Sequence, residues 1–276
     1  MATNSASEQP FYPSGHHPSV LRSHQSRSAA ECAAHLLPYL RPTDSLLDIG
    51  CGPATITCDF AKIVHSVVGL EHPSGASVLD AAKQTAAERG VADKVSFQLG
   101  DAAHLPFPDD SFDVVYCHQV LQHVSDPVRV LGEMRRVSKR IVCAREADFE
   151  TMTLYPTDER SGSLKRWKEM WYQVARAGGG QPDAGRRLKA WALEAGFAVD
   201  QVEVKAGSTT PEVKWWGDMW ADRTVSSDWA TKAKAICGVG ETELQEIATA
   251  WRDWSKKDEA WFGYLQGDLL AWKRQE

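Results

Sequence analysis

Short apolar runs that alternate with helix-length segments constrain this chain more than any other feature. Residues 45–49 (SLLDI), 67–71 (VVGLE), 94–99 (KVSFQL), 112–117 (FDVVYC) and 140–144 (RIVCA) each have the length and apolar content of a strand. Residues 54–64, 75–89 and 127–137 lie between them with helical composition, and Gly90 stops the second of these helices. Strands spaced by helices imply βαβ units and a parallel sheet. FDVVYC lacks the in–out alternation of a half-exposed strand, which fits a central strand covered on both faces.

Upstream, residues 19–40 read as one helix, with Ala29, Ala30, Ala33, Ala34, Leu36 and Leu37 on its apolar side, and Pro42 and Thr43 end it. After Glu146 the texture changes. Gly178-Gly179-Gly180-Gln181-Pro182 is a break. Residues 185–196 then read as a helix, 197–204 as a strand, 206–260 as helical and 261–273 as a last strand. All eleven tryptophans lie after residue 166. Trp167 and Trp171 share a helix face at i, i+4, and Trp215/Trp216/Trp220 and Trp251/Trp254 form two further groups. These rings are expected either to cover a substrate or to fill the core of a helical subdomain. The expected organisation is a flexible segment over 1–18 and a single domain over 19–276, with lid segments at about 147–184 and 206–260.

Bulk properties narrow the function. The formal charge is −6, with 31 basic and 37 acidic residues, and no basic run or RNA-binding motif appears, so no nucleic-acid partner is expected. No apolar run is long enough for a membrane span. The six cysteines include no CxxC pair, which argues against a zinc site or a redox dithiol and for reduced cysteines in a cytoplasmic protein. No metal site is expected, and oligomeric state is not legible.

Three features recur at expected strand ends: Asp48-Ile49-Gly50-Cys51-Gly52-Pro53-Ala54, then Glu71, then Gly100-Asp101-Ala102. In an open parallel sheet, ligands bind outside the carboxyl ends of the strands. Gly50 and Gly52 remove side chains where backbone must turn sharply and approach a ligand. Glu71 stands 23 residues past Asp48, at the end of the neighbouring strand, where a carboxylate can accept both hydroxyls of a ribose. Asp101 can accept from an exocyclic amine. Each feature alone also fits a plain turn, a helix cap or a solvated charge; their joint order carries the argument.

LLDIGCGPA, followed by VVGLE, GDA and LPFPDDSFDVVYCHQVLQHVSDP, resembles the class I S-adenosylmethionine-dependent methyltransferases. The subgroup it looks closest to is the one similar to the ubiquinone/menaquinone-biosynthesis C-methyltransferases. The resemblance covers residues 10–146, and Ala195–Phe197 more loosely. It implies a Rossmann-like, doubly wound α/β fold with a seven-stranded, mostly parallel sheet and helical lid insertions. It also implies S-adenosyl-L-methionine as cofactor and a small-molecule substrate. By the same resemblance the backbone of Gly50, Cys51 and Gly52, after Asp48, meets the methionine part of the cofactor. Glu71 binds ribose with His72 beside the adenine, and Asp101 and Ala102 bind adenine. Cys117, His118 and Gln119 line the methionine portion, and Arg27 pairs with its carboxylate. Ala54 stands where the family carries a third glycine, with little loss expected because alanine suits a helix start.

A nicotinamide dehydrogenase would need GxGxxG, and the last position here is Thr55. A methyltransferase fold that binds the cofactor without methylating, or serves as a binding module, is the other rival. Candidate bases are His118 and His123; His16 and His17 could close over the site or remain in solvent, and His24 stands one helical turn from Arg27. The tryptophan-rich cover implies an apolar or aromatic acceptor.

Overall fold

A computed structural model describes residues 26–157 and 161–274. His16, His17, His24 and the expected segment 1–18 lie outside the described residues. Seven strands run β1 Ser45–Ile49, β2 Ser66–Glu71, β3 Val95–Leu99, β4 Phe112–His118, β5 Ser138–Tyr155, β6 Val202–Thr209 and β7 Trp261–Trp272. They form one sheet in the order β3-β2-β1-β4-β5-β7-β6. The first five are parallel, and β7 runs antiparallel to both β5 and β6. Strand order reverses beside β1, so the carboxyl ends of β1 and β4 diverge there and leave a crevice.

The helices are α1 Ala29–Cys32, α2 Thr55–Ala61, α3 Val78–Glu88, α4 Pro127–Val137, α5 Ser161–Ala177, α6 Ala184–Glu194, α7 Val213–Ser226, α8 Asp228–Cys237 and α9 Glu241–Trp254. Successive strand residues face opposite sides. Leu46, Val114 and Tyr116 therefore pack towards α1–α3, whereas Leu47, Val115 and Cys117 pack towards α4 and α6. A third cluster lies beyond the sheet. Trp167, Trp220, Trp229 and Trp251, from α5, α7, α8 and α9, pack there against Phe149 of β5 and Phe262 of β7.

Three expectations change. The helix expected over 19–40 reduces, within the described residues, to α1 and a separate 3-10 turn at Leu37–Tyr39. Pro38 has no N–H to donate to Ala34, and its ring crowds that carbonyl, so a continuous helix cannot pass. The strand expected at 140–144 extends to Tyr155, pairing with β7 across a bulge between Asp148 and Thr153. Arg145, Glu146 and Asp148 do not end it because each charge is met inside the fold. The region read as helix from 206 begins instead as the end of β6, and is then cut into three helices at Ser227 and at Gly238, which is left-handed.

Ala54 also departs from expectation. It does not start the helix in helical geometry but sits before α2 at φ 63°, ψ 25°, the left-handed region, and is fully buried. A Cβ there costs roughly 1–2 kcal/mol, and glycine carries an entropic cost of about 0.5–1 kcal/mol. Ala54→Gly is therefore expected to raise the unfolding free energy by about 0.5 kcal/mol in urea titration. A loss of 1 kcal/mol or so would show that the methyl's packing outweighs the backbone strain.

Candidate functional site

The crevice at the strand ends is a cavity of about 990 Å³, large enough for a nucleoside-sized ligand and a small partner together. One end is built by β1, β2 and the turn after β3. Gly50 and Cys51 donate their N–H groups to the carbonyl of Leu70 at 2.8 and 3.2 Å, which locks the turn onto β2. Gly50 has φ 70°, and a Cβ there would stand 2.5 Å from Val120. Gly52 has φ 51°. Glu71 accepts from the N–H of Gly52 at 3.0 Å and from that of His72 at 2.9 Å. The His72 ring accepts from the Ser74 N–H at 3.1 Å and caps the short turn at Pro73–Gly75. Asp101 accepts from Ala103 N–H at 2.9 Å and faces the His104 ring at 3.1 Å. Ala102 lies beside it on the cavity wall.

Asp48 is buried at the end of β1 and accepts from Thr57 Oγ1 at 2.6 Å. Burial pushes its carboxyl up to about 7, against the lowering effect of that hydroxyl, and Glu71 adds to the rise. From β4, His118 and Gln119 reach the same cavity. Arg27 closes over them, with one guanidinium nitrogen 2.6 Å from Gln119 Oε1 and another 3.4 Å from His118 Nδ1. Cys117, expected beside them, is fully buried on the α4/α6 face and does not line the cavity. His123 does line it; burial and then Arg27 push its ring down to about 3.

The Gly50–Gly52 turn, the acid ending β2 and the Asp101 turn thus enclose one crevice. A family model described as a methyltransferase domain matches residues 47–141, which span all three. An uncharacterized methyltransferase of Schizosaccharomyces pombe is 31% identical, covering 98% of this chain and 98% of its own. The chain belongs to the S-adenosylmethionine-dependent methyltransferases. A probable methyltransferase of Aspergillus luteorubrus, ltbC, is 30% identical over 95% of this chain and 97% of its own. In fold, the methyltransferase is similar to the YcgJ protein of Bacillus subtilis, with a TM-score of 0.58 at 18% identity, covering 90% of this chain and 99% of that one. Its cofactor is S-adenosylmethionine. Among the described residues no helix is long and apolar enough to cross a membrane, and no group of three or more His, Cys, Asp or Glu could hold a metal ion.

The opposite end of the methyltransferase's cavity combines tryptophans that the sequence grouped as a possible cover with residues that it did not single out. Arg145 lies there, paired with Asp268 at 2.6 Å and donating to the Ser208 carbonyl at 3.1 Å. Phe149, Tyr264 and Gln266 line it too, with Trp171, Trp216 and Trp220. Trp171 and Trp220 are almost fully buried, and Trp216 is half-buried. The alternation of β7 could have placed Tyr264 and Gln266 on one face, but nothing local showed which face the cavity would take.

Glu146 was likewise read only as the point where the texture changes. It has 0% exposure and accepts the N–H groups of Val120 and Leu121 at 2.9 Å on one oxygen and of Gln122 at 3.2 Å on the other. Burial pushes its carboxyl up to about 7 against these three donors. Those bonds fix the loop after β4, including Gln119 at φ 55°. An amide in place of the carboxyl would leave at least one buried N–H unmet. Glu146→Gln is therefore expected to lower the unfolding free energy by about 1–3 kcal/mol, read from the urea midpoint at constant slope. An unchanged midpoint would mean that the loop is held by other contacts.

Proposed function

We propose that this methyltransferase transfers its methyl group to a small aromatic or apolar molecule held against the tryptophan-rich wall. One observation carries the reading: a single cavity runs from the Gly50–Gly52 turn, Glu71 and Asp101 to Trp171, Trp216 and Tyr264. The first end is acidic and glycine-lined, and the second is aromatic. We infer that α5 and α7–α9 are the cover of a single domain and not a separate unit. They share their core with β5 and β7, and closure that excludes water strengthens the polar contacts inside.

The donor set at the first end suits the cofactor. Glu71 keeps lone pairs beyond those taken by Gly52 and His72, enough to accept ribose hydroxyls. His72, Asp101 and Ala102 would flank the adenine. The backbone of Gly50, Cys51 and Gly52 would take the methionine part with His118 and Gln119, and Arg27 its carboxylate. When bound, S-adenosylmethionine supplies a methyl group on a positively charged sulfur, a donor that is already activated. The chain's task is then chiefly alignment, worth up to ~7–11 kcal/mol when geometry is good. His123, pushed down to about 3, is poorly matched to carry a proton near neutral pH. His118, on the cavity wall beside Arg27, is the better placed of the two candidate bases.

Calorimetry with S-adenosylhomocysteine tests the first end. Glu71→Ala is expected to weaken binding by roughly 1.5–3 kcal/mol, the value of hydrogen bonds to a charged group. Binding as tight as the parent's would remove Glu71 as the ribose ligand. The second end is tested with radiolabelled methyl donor and a small-molecule extract as the source of acceptor. Trp216→Ala is expected to cut labelling of the apolar product while homocysteine-product affinity stays unchanged. If that affinity and the thermal midpoint fell together, by the ~3–5 kcal/mol of a core Trp→Ala, Trp216 would be part of the fold's support and not of the pocket.

A further inference from the structure

The cavity wall changes character along one face of the sheet. His118 of β4 and Arg145 of β5 are register partners, and Arg145 pairs in turn with Asp268 of β7. Gln266 stands two residues before Asp268 and faces the same side. Its register partners are small, Ala147 on β5 and Gly207 on β6. Tyr264 stands two residues before Gln266, again on that side. His118, Arg145, Gln266 and Tyr264 all line the cavity. Arg145 and Gln266 are therefore a polar strip between the cofactor end and the aromatic wall.

Both side chains are buried, Arg145 with 6% exposure and Gln266 with 4%, yet the chain does not satisfy either. Arg145 Nη1 donates to Asp268 Oδ1 at 2.6 Å and Nη2 to the Ser208 carbonyl at 3.1 Å, while Nε has no partner. A guanidinium carries five N–H donors. Gln266 Nε2 donates to Thr209 Oγ1 at 2.5 Å, and its Oε1 has no partner. Buried polar groups are ordinarily hydrogen-bonded, so unmet donors and an unmet acceptor on a cavity wall mark a place for a ligand's polar group. Charge narrows what that group can be. Asp268, which is not on the cavity wall, already offsets the charge of Arg145. A carboxylate on the strip would gain from the guanidinium and lose to Asp268 and Gln266 Oε1, and an ammonium would face the guanidinium. A neutral hydroxyl suits both residues, because it accepts from Arg145 and donates to Gln266.

We propose that Arg145 and Gln266 form a subsite that binds a neutral hydroxyl group of the methyl acceptor. The inference rests on the assignment of the aromatic end to the acceptor. The acceptor is then an apolar or aromatic molecule with a hydroxyl on its edge. Its apolar body lies against Trp216 and Tyr264, and its hydroxyl lies on the strip, on the side of the methyl donor.

The test uses the full chain saturated with S-adenosylhomocysteine and a set of probes of one shape: 4-phenylphenol, 4-methylbiphenyl and biphenyl-4-carboxylate. Equilibrium dialysis reads their affinities. Apolar burial alone favours the methyl probe, and the charge of Arg145, or of Arg223 elsewhere on the wall, would alone favour the carboxylate. The phenol is expected to bind about tenfold more tightly than either, the size of one hydrogen bond to a charged group. Gln266→Met keeps the side chain's length without the amide, and Arg145→Lys keeps a charge for Asp268 without the guanidinium fork. Each is expected to bring the phenol level with the methyl probe. Calorimetry with S-adenosylhomocysteine is expected to give the parent's affinity in Gln266→Met, which separates loss of the subsite from loss of the fold. The inference is overturned if the methyl or carboxylate probe binds the parent as tightly as the phenol, or if the phenol's advantage survives in Gln266→Met. A parent that binds none of the probes shows failure of the acceptor-end assignment itself, and the inference falls with it.

Discussion

The carboxylate of Glu146 accepts three successive backbone N–H groups from the loop after β4, and the cavity depends on that arrangement. Strand ends in an open sheet leave donors without partners, and burying those donors unmet costs about 1–3 kcal/mol each. Meeting all of them with one side chain from β5 fixes the loop to the neighbouring strand. It also leaves Gln119 and its neighbour His118 on the cavity wall, while Cys117 turns into the core. The same stretch of β5 carries Arg145, paired with Asp268, and Asp148, whose carboxylate takes two nitrogens of Arg186 at 2.6 and 2.9 Å. Three charged residues in one buried strand are tolerable only because each is paired or multiply hydrogen-bonded.

That strand also joins the two ends of the site. Its first half lies between β4 and β7, its end continues with β7 alone past the bulge, and within the bulge Phe149 meets Trp171 and Tyr264. A methyl donor at the strand ends and an acceptor at the aromatic wall would then be aligned by continuous backbone, which suits a reaction whose rate depends on alignment. The division of chemistry follows the division of the sheet. The parallel strands supply glycines and acids at their ends, and the helices α5 and α7, with Phe149 of β5 and Tyr264 of β7, supply large flat side chains that lose little rotamer freedom when they close a site.

The parallel half was largely legible in the sequence because its signals are local. SLLDI, VVGLE and FDVVYC read as strands and are strands, and Gly50, Gly52, Glu71 and Asp101 stand at the strand ends where their order put them. The antiparallel half was harder to read. Arg145, Glu146 and Asp148 look like the end of a strand, since the partners that satisfy them lie far along the chain or on the loop after β4. Tyr264 carried no local mark of its place, because the Phe149 and Trp216 rings packed beside it arrive from β5 and α7. Cys117 and His118 are adjacent in sequence, and only the register of β4 decides which of them faces the cavity. Ala54 resembled a helix start by composition, yet the tight turn that glycine usually takes keeps its left-handed backbone with alanine in place.

A crystal structure of the full chain with S-adenosylhomocysteine tests the central claim most directly, that one cavity holds the cofactor at its acidic end and leaves the aromatic end for the acceptor. The account expects the nucleoside between Glu71 and Asp101, the amino-acid end at Arg27 and Gln119, and the sulfur turned towards Tyr264 and Trp216. A nucleoside stacked among Trp171, Trp216 and Tyr264, with Glu71 and Asp101 left to solvent, would contradict it.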